Sequence, residues 1–274
     1  MRADDAVDWA GAHHAPARRA PRIASLVPSL TELLFALELG GHVVARTGFC
    51  VHPKPAVRGV PKIGGTKDPD LARLRVIAPT HLIVNVDENR REVVDEARTF
   101  VPHIVVTDPR EPDDNLRLYR LFGAVFDRER EAEALCARYV AARDAARAAA
   151  GLLARVRVLY LIWKRPWMTV RRDTYVAATL TLVGLDTVPV HADKRYPELA
   201  DDAPAWRDAQ RILLSTEPYA FRARDAESLA RAHGKPVDLV DGQWTSWYGP
   251  RAIEGLRALV DFRYKGTRTP TVMA

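Results

Sequence analysis

The pattern of apolar and polar positions along the chain predicts alternating strands and helices. The first strand is predicted over residues 22–27, and Pro28 then opens an amphipathic helix in which Ser29 and Glu32 form a capping box. Further strands are predicted at 42–46, 81–86 and 103–107, and further helices at 89–100, 111–122 and, as a short segment, from Asp68. Strands and helices at this spacing indicate parallel βαβ units.

One long segment interrupts this alternation. Residues 127–153 contain no proline and many alanines, which predicts a helix of about 25 residues, longer than most. After it, strands are predicted at 157–162, 211–214 and 237–240, and helices at 174–184, 224–232 and 250–262; residues 192–209 are irregular with a short helix. We therefore predict an α/β fold with two parallel-sheet lobes joined by one long backbone helix. The predicted limits are 22–126, 127–154 and 155–274.

Length and composition agree with this organisation. The chain has 274 residues, of which 47% are hydrophobic and 28% charged, so two lobes of ordinary size fit better than a single core. Its 41 Lys and Arg against 35 Asp and Glu give a net charge of +6. The arginines are dispersed, and neither zinc-finger spacing nor an aromatic RNA-binding motif is present, so we expect no nucleic-acid partner.

The N-terminal residues, the short apolar stretches and the two cysteines argue against several other classes of protein. Residues 1–21 lack an apolar stretch of about 7–15 residues, as a secretion signal requires, and are predicted to form a disordered leader. No apolar stretch approaches the length of a membrane span, so we expect a protein that is not membrane-embedded. Cys50 and Cys136 have no CxxC spacing, which argues against a disulfide scaffold or a zinc site.

Candidate chemistry gathers where the predicted strands end. In open parallel sheets, ligands bind beyond the carboxyl ends of the strands. Four of the six tryptophans fall at two such ends in the second half: Trp163, Trp167, Trp244 and Trp247. This pattern favours an aromatic-lined ligand cleft, with packing of the second lobe as the alternative.

No catalytic motif accompanies these aromatics. The chain lacks GxSxG, GxxxxGK[ST], GxGxxG after the first strand, and HExxH. Asp87 and Glu88 as an acid–base pair, His52 as a metal ligand and Cys50 as a reactive thiol are weaker alternatives. We therefore predict binding without catalysis, no catalytic residue, no protein-bound metal and no required cofactor.

Several segments in order carry a resemblance to a known family. They are IASLVPSLTE at 23–32, GFCVHP at 48–53, VPKIGGTKDPD at 60–70, PTHLIVNVDEN at 79–89, WKRPWMTV at 163–170, EPYAF at 217–221 and TSWYGPR at 245–251. Together they resemble the helical-backbone periplasmic-binding proteins, the cobalamin- and ferric-siderophore-binding components of ABC importers. The resemblance covers residues 22–262 and implies one ligand held between two lobes.

The resemblance also implies the ligand-binding positions. In the first lobe they are Ser29, Phe49, Cys50, His52, Gly65, Thr66, Asn85, Glu88 and Asn89; in the second they are Trp163, Trp167, Trp244, Trp247, Tyr248 and Arg251. Broad aromatic faces suit a flat, mostly apolar corrinoid, so a cobalt corrinoid or similar metal chelate is favoured. A ferric siderophore or haem is the alternative, for which Arg110, Arg165 and Arg251 are available.

Partner and location follow from the same resemblance. It implies docking to an ABC permease through one acidic residue on each lobe. Ala72 occupies the first position, which leaves Asp70 or Asp68 nearby, and Asp202 or Glu198 is available on the second lobe. A monomeric periplasmic protein is implied, although the sequence shows no signal peptide. The alternative is a cytoplasmic corrinoid- or chelate-binding or regulatory relative that is not coupled to a transporter.

Overall fold

The computed structural model describes residues 3–17 and 20–267, which divide into two compact units. Unit 1 contains the described residues up to Pro109 together with Asp113–Tyr139 and Tyr248–Pro250. Unit 2 contains Arg110–Pro112, Val140–Trp247 and the described residues from Arg251 onward. Each unit has its own β-sheet, and the predicted α/β fold with two sheets and one long helix is confirmed.

The sheet of unit 1 is fully parallel, in the order β2-β1-β3-β4. Its strands are β1 (Ile23–Ser25), β2 (Val43–Arg46), β3 (His81–Asn85) and β4 (His103–Thr107), and its helices are α1 (Pro28–Ala36), α2 (Leu71–Ile77), α3 (Arg91–Ala97) and α4 (Asp114–Phe126). Ala24 pairs with Ala45 on one side and Leu82 on the other. These apolar strand residues are buried, as expected for a parallel sheet covered by helices.

The start of α1 corrects one prediction. The helix begins at Pro28. A proline is tolerated in the first turn because the N–H group that it lacks would have no partner within the helix. Val27 is therefore the N-cap residue, and no side chain caps the helix. The predicted capping box of Ser29 and Glu32 is wrong, because Ser29 lies one residue inside the helix and is buried.

The long helix α5 covers Glu129–Gly151, close to the predicted segment. Its residues up to Tyr139 belong to unit 1, and those from Val140 belong to unit 2. Cys136 lies on its buried face, where burial raises the pKa of the thiol to about 11. The lobe limits at residues 126 and 154 stay a prediction.

The sheet of unit 2 is mixed rather than wholly parallel. Its strands are β5 (Val156–Trp163), β6 (Trp167–Thr169), β7 (Leu185–Thr187), β8 (Glu198–Leu199), β9 (Arg211–Ser215) and β10 (Val237–Val240). Strands β7, β9 and β10 run parallel to β5, whereas β6 is antiparallel to both β5 and β8. The difference from the prediction arises because the chain turns at Arg165, which has φ 67°, and returns beside β5.

The helices of unit 2 complete the fold. They are α6 (Tyr175–Leu182), α7 (Pro204–Asp208), α8 (Ala223–His233), α9 (Gly242–Ser246) and α10 (Arg251–Thr267). The short α9 was not predicted; its N-cap is Asp241, whose carboxylate accepts a hydrogen bond from the backbone N–H of Gln243. None of the helices in the described part of the chain is long and apolar enough to cross a bilayer.

The predicted disordered leader over residues 1–21 is wrong for residues 3–17, which pack on unit 1. Trp9 N donates to Val106 O (3.1 Å), and Ala17 N donates to Val125 O (2.9 Å). The buried carboxylate of Asp8 accepts a hydrogen bond from Val106 N at 3.0 Å. Two of these hydrogen bonds tie the segment to Val106 in β4, the last strand in the sheet order. Residues 1, 2, 18 and 19 of the leader lie outside the described residues.

Candidate functional site

The most exposed aromatic side chain at a strand end of unit 1 is Phe49. It follows β2 and is 63% exposed. Its ring lies beside the turn formed by Gly65 and Thr66, since a Cβ atom on Gly65 would stand 3.8 Å from the ring. His52 lies in the same loop and is half-buried. The structure therefore brings these four predicted site residues to one edge of unit 1.

Cys50 is in the same loop but lies beneath its surface. The side chain is fully buried, with Sγ 3.2 Å from Thr47 Oγ1 and 3.9 Å from the Ser25 carbonyl oxygen. Burial raises the pKa of the thiol, which favours the protonated, unreactive form. In this structure Cys50 supports the loop from inside. Among the described residues, no three His, Cys, Asp or Glu side chains are placed to hold a metal ion.

The loop after β3 is held by two predicted site residues, Asn85 and Asn89. Asn85 Oδ1 accepts hydrogen bonds from the backbone N–H groups of Asp87 (2.9 Å) and Glu88 (3.3 Å). Asn89 Oδ1 accepts from Asn85 N, and Asn89 Nδ2 donates to Thr66 O, both at 2.8 Å. Both amides therefore shape the loop, and Asn89 ties it to the turn beside Phe49.

Tyr248 belongs to unit 1, although the sequence resemblance places it on the second lobe. Its hydroxyl donates to Glu88 Oε1 at 2.7 Å. Burial, followed by the charge of Glu88, raises the pKa of Tyr248 well above its ordinary value. The buried Ser29 hydroxyl opposes this shift, although it makes no hydrogen bond of normal geometry within the described part of the chain. Gly249 N donates to Asn115 Oδ1 at 2.7 Å and fixes the segment.

Gly64 is the residue that sets the turn beneath Phe49. It has φ +93°, and an added Cβ would stand 2.7 Å from Asp68 O. Its carbonyl oxygen accepts a hydrogen bond from Gly48 N at 2.7 Å, so a shift at Gly64 is transmitted to the neighbour of Phe49.

Replacing Gly64 by alanine is expected to lower the free energy of unfolding by about 2–3 kcal/mol, because both the backbone conformation and the space exclude a methyl group. Urea denaturation measures the change. Gly59→Ala is the matched control, since an added Cβ there meets nothing within 4 Å. Equal stability of the two variants would contradict the assignment of strain to Gly64.

Trp163 is an exposed aromatic residue at a strand end of unit 2. It is the last residue of β5 and is 39% exposed. Its ring meets the ring of Tyr219 edge-on, with the centroids 5.5 Å apart. Tyr219 follows β9 and contacts Phe221 at a centroid distance of 4.7 Å. Sequence reasoning did not select Tyr219, although its position after a predicted strand was a usable signal.

Two other tryptophans that were predicted to bind the ligand contact other residues of unit 2. Trp167 stacks on Phe221 and meets Trp206 edge-on, with centroid distances of 6.2 and 5.7 Å, and packs against the core of unit 2. Trp244 is half-buried in α9, where its backbone lies so close to Gly255 that an added Cβ would stand 2.6 Å from Trp244 O. For Trp167, the alternative of lobe packing describes the structure.

Trp247 is held by a carboxylate that sequence reasoning did not select. The largely buried indole donates from Nε1 to Glu217 Oε1 at 2.6 Å. Burial raises the pKa of Glu217, and the hydrogen bond from Trp247 opposes this. Arg251 lies on the same ring, with its guanidinium carbon 5.3 Å from the centroid. Glu217 lies two residues after β9 and opens the EPYAF segment, and these were its signals in the sequence.

The two residues predicted to dock a permease are both exposed. The carboxylate of Asp70 accepts a hydrogen bond from Arg73 N at 2.8 Å and caps α2. Asp202 lies in a turn that precedes α7. Their role in docking stays a prediction.

Sequence comparison identifies the family. Residues 23–234 match the family model described as "Periplasmic binding protein". The chain belongs to the periplasmic binding protein family. Membership confirms the resemblance inferred from the ordered motifs and the prediction of binding without catalysis. No curated protein matches the chain.

Solved structures of low sequence identity share the fold of this periplasmic binding protein. The vitamin B12 binding protein BtuF of Vibrio cholerae is 15% identical with a TM-score of 0.76, covering 91% of this chain and 98% of its own. The heme-binding protein RhuT from Roseiflexus sp. RS-1 is 22% identical with a TM-score of 0.76, covering 90% and 99%. Staphylococcus aureus IsdE, solved with heme, is 16% identical with a TM-score of 0.73, covering 89% and 99%.

Proposed function

We propose that the chain is the substrate-binding component of an ABC importer and that its ligand is a flat metal chelate, with a cobalt corrinoid as the first candidate. One observation carries this proposal. Phe49 and Trp163 each remain exposed beside the end of a parallel strand, one in each unit. Exposed aromatic faces of this kind match a broad, apolar ring system.

Polar groups near these rings support a neutral or weakly charged ligand. In unit 1 the Phe49 edge contains amide and hydroxyl groups, and Glu88 is already bonded to Tyr248. In unit 2 the Glu217 carboxylate binds the Trp247 indole. A corrinoid fringed with amides can use such donors and acceptors without needing several converging arginines.

Haem is the second candidate. The similar Roseiflexus and Staphylococcus structures are of heme-binding proteins, whereas the Vibrio cholerae structure is of a vitamin B12 binding protein. These ligands share a flat macrocycle around a metal, and they differ in that haem carries acidic groups. Arg251 lies against the Trp247 ring, and the exposed Arg165 lies two residues after Trp163 in the chain; these are the candidate cations for such groups.

A fluorescence titration distinguishes these ligands. The purified chain is titrated with cobalamin, haem and a ferric siderophore while tryptophan emission is recorded. We expect saturable quenching by cobalamin at micromolar concentration or below. Saturation by haem alone would replace the corrinoid with the second candidate. The absence of saturable binding by any of the three would contradict a metal-chelate ligand.

Phe49→Ala and Trp163→Ala are each expected to weaken cobalamin binding about tenfold or more, because each removes a stacking face. Trp163→Phe keeps an aromatic face and is expected to retain most of the affinity while reducing the quenching. Tyr264→Ala is the matched control: this residue of α10 is 38% exposed and lies more than three helical turns after Arg251, the first residue of the helix. Equal affinity of Phe49→Ala, Trp163→Ala and Tyr264→Ala would contradict the assigned roles.

The transporter role is tested separately from ligand binding. Within this proposal, the chain works in the periplasm and docks to a permease through Asp70 and Asp202. Loaded protein is then expected to stimulate the ATPase activity of its reconstituted transporter, and Asp70→Ala or Asp202→Ala to reduce that stimulation without changing ligand affinity. Binding without any stimulation would support the alternative of an uncoupled cytoplasmic relative.

A further inference from the structure

A buried arginine lies directly beneath the Phe49 loop. Arg46 is the last residue of β2 and is only 4% exposed. Within the described part of the chain, no carboxylate lies within ion-pair distance of its guanidinium. A buried charge without a counter-ion is unfavourable unless polar groups surround it.

Backbone carbonyls of one loop supply that compensation. Arg46 Nη1 donates to Thr47 O at 3.2 Å and to Cys50 O at 2.9 Å, and Nε donates to Val57 O at 3.0 Å. These acceptors lie at the beginning and the end of the loop over residues 47–57. Phe49 stands between the two carbonyls that share Nη1, so the backbone on both sides of Phe49 is tied to a single nitrogen atom.

The backbone of Arg46 is itself anchored. Its N–H donates to Pro61 O at 3.0 Å, and its carbonyl oxygen accepts from Ile63 N at 2.9 Å. The guanidinium therefore extends from a fixed point in the sheet into the loop. A loop without such an anchor would allow the exposed Phe49 ring to fold onto nearby apolar surface, since burial of apolar area is favourable.

We propose that Arg46 is a positioning residue for ligand binding, which holds the Phe49 loop in the conformation that presents the aromatic ring to the ligand. The proposal rests on the proposed function, because it assigns Phe49 to the binding surface. It adds a residue that touches no ligand and acts only through the loop.

Arg46→Lys tests this role, because lysine keeps the charge but cannot reproduce the fork of donors that spans the three carbonyls. Arg263→Lys is the matched control. Arg263 of α10 is also buried and donates to two backbone carbonyls, Val183 O at 3.0 Å and Ala154 O at 2.7 Å. It belongs to unit 2 and binds just before the beginning of β5, whereas Trp163 is the last residue of that strand.

A double-mutant cycle with Phe49→Ala measures whether Arg46 acts through Phe49. Arg46→Lys is expected to weaken cobalamin binding about tenfold in the wild-type background and less than about twofold in the Phe49→Ala background. Arg263→Lys is expected to leave the affinity unchanged in both. Equal losses from Arg46→Lys in the two backgrounds would overturn the proposal.

The rate of thiol labelling reports on the conformation of the loop in the absence of any ligand. Cys50 and Cys136 are both free and buried, and Cys50 belongs to the Arg46 loop. Arg46→Lys is expected to accelerate labelling of Cys50 at least about tenfold while Cys136 stays protected, as followed by peptide mass spectrometry. Equal acceleration at both cysteines would show general destabilisation of the protein and overturn the positioning role.

The two readouts separate the two proposals. If the wild-type chain binds none of the chelates, the proposed function fails, whereas selective exposure of Cys50 still shows that Arg46 holds the loop. If the wild-type chain binds cobalamin but Cys50 stays protected in Arg46→Lys, the proposed function stands and the positioning role of Arg46 is wrong.

Discussion

Replacing Asp8 by alanine is expected to lower the free energy of unfolding by about 3 kcal/mol, since the variant takes the acceptor away from three partly buried backbone N–H groups and from the buried ring of His14. Asp8 Oδ1 accepts from the backbone N–H groups of Ala10 and Ala12, both at 2.9 Å. Its Oδ2 accepts from Val106 N at 3.0 Å and lies 3.0 Å from His14 Nε2. The carboxylate therefore joins the N-terminal segment to the outer strand β4.

The measurement is urea denaturation, combined with limited proteolysis of the first residues. Asp68→Ala is the control, because Asp68 is exposed and its ion pair with Arg90 contributes at most about 1 kcal/mol. We expect cleavage within residues 3–17 to accelerate only in Asp8→Ala. Equal losses of stability in the two variants would show that the segment does not depend on Asp8.

The pKa of Asp8 sets the pH range over which its hydrogen bonds stabilise the fold. Burial by itself raises the pKa, but the hydrogen bonds from His14, Val106 and Ala12 outweigh it, so the pKa lies below the ordinary value of 3.8. The folded state therefore favours the ionised carboxylate. Its contribution is complete above about pH 3.8 and is lost as the pH falls through the lowered pKa.

Acidification is also expected to destabilise the protein at higher pH values than those at which Asp8 titrates. Protonation of His81 is expected to lower the free energy of unfolding by up to about 3 kcal/mol. Burial of the ring, and then the charges of His103 and His14, lower the pKa of His81 from 6.5 to about 4. The unfolded chain takes up this proton near pH 6.5 and the folded chain only near pH 4. Stability is therefore complete above pH 6.5 and falls between pH 6.5 and about 4.

His81→Phe tests this prediction because it removes the titrating group and keeps a ring. The His81 ring stacks on His103 at a centroid distance of 4.8 Å and meets Phe126 edge-on at 5.1 Å. Urea midpoints are measured from pH 7 to pH 4.5, with His42→Phe as a control elsewhere in unit 1. We expect His81→Phe to lose most of the pH dependence in this window. An unchanged dependence would contradict the lowered pKa.

The regular part of the fold was accessible from sequence because its signals are local. The strands His103–Thr107 and Val237–Val240 coincide with their predictions, since each is a short segment rich in branched apolar residues between polar turns. The two- and three-residue strands β6, β7 and β8 escaped prediction because they are too short to show a periodicity. They form only through pairing within the sheet of unit 2.

Order in the N-terminal segment depends on contacts that are distant in sequence. Asp8 and Val106 are 98 residues apart, and no local pattern announces their hydrogen bond. The polar residues of this segment read as disorder because the sequence does not reveal that a neighbouring strand supplies partners. Composition describes how much apolar surface a segment can bury, not whether its polar groups are satisfied elsewhere.

The candidate site could be predicted as a region but not residue by residue. The resemblance and the strand ends together selected Phe49 and Trp163, which are both exposed and whose role in ligand binding stays a prediction. The same reasoning also selected Cys50, which is buried, and Trp167, which packs on Phe221. Position after a strand does not determine which way a side chain faces. Glu217 was missed because its bond to Trp247 bridges 30 residues.

A calorimetric titration of the full chain with cobalamin tests the central claim most directly. We predict saturable one-to-one binding that is retained in Tyr264→Ala and is weakened at least about a hundredfold in the Phe49→Ala/Trp163→Ala double variant. Wild-type affinity in that double variant would contradict the claim that the exposed strand-end aromatics bind the ligand.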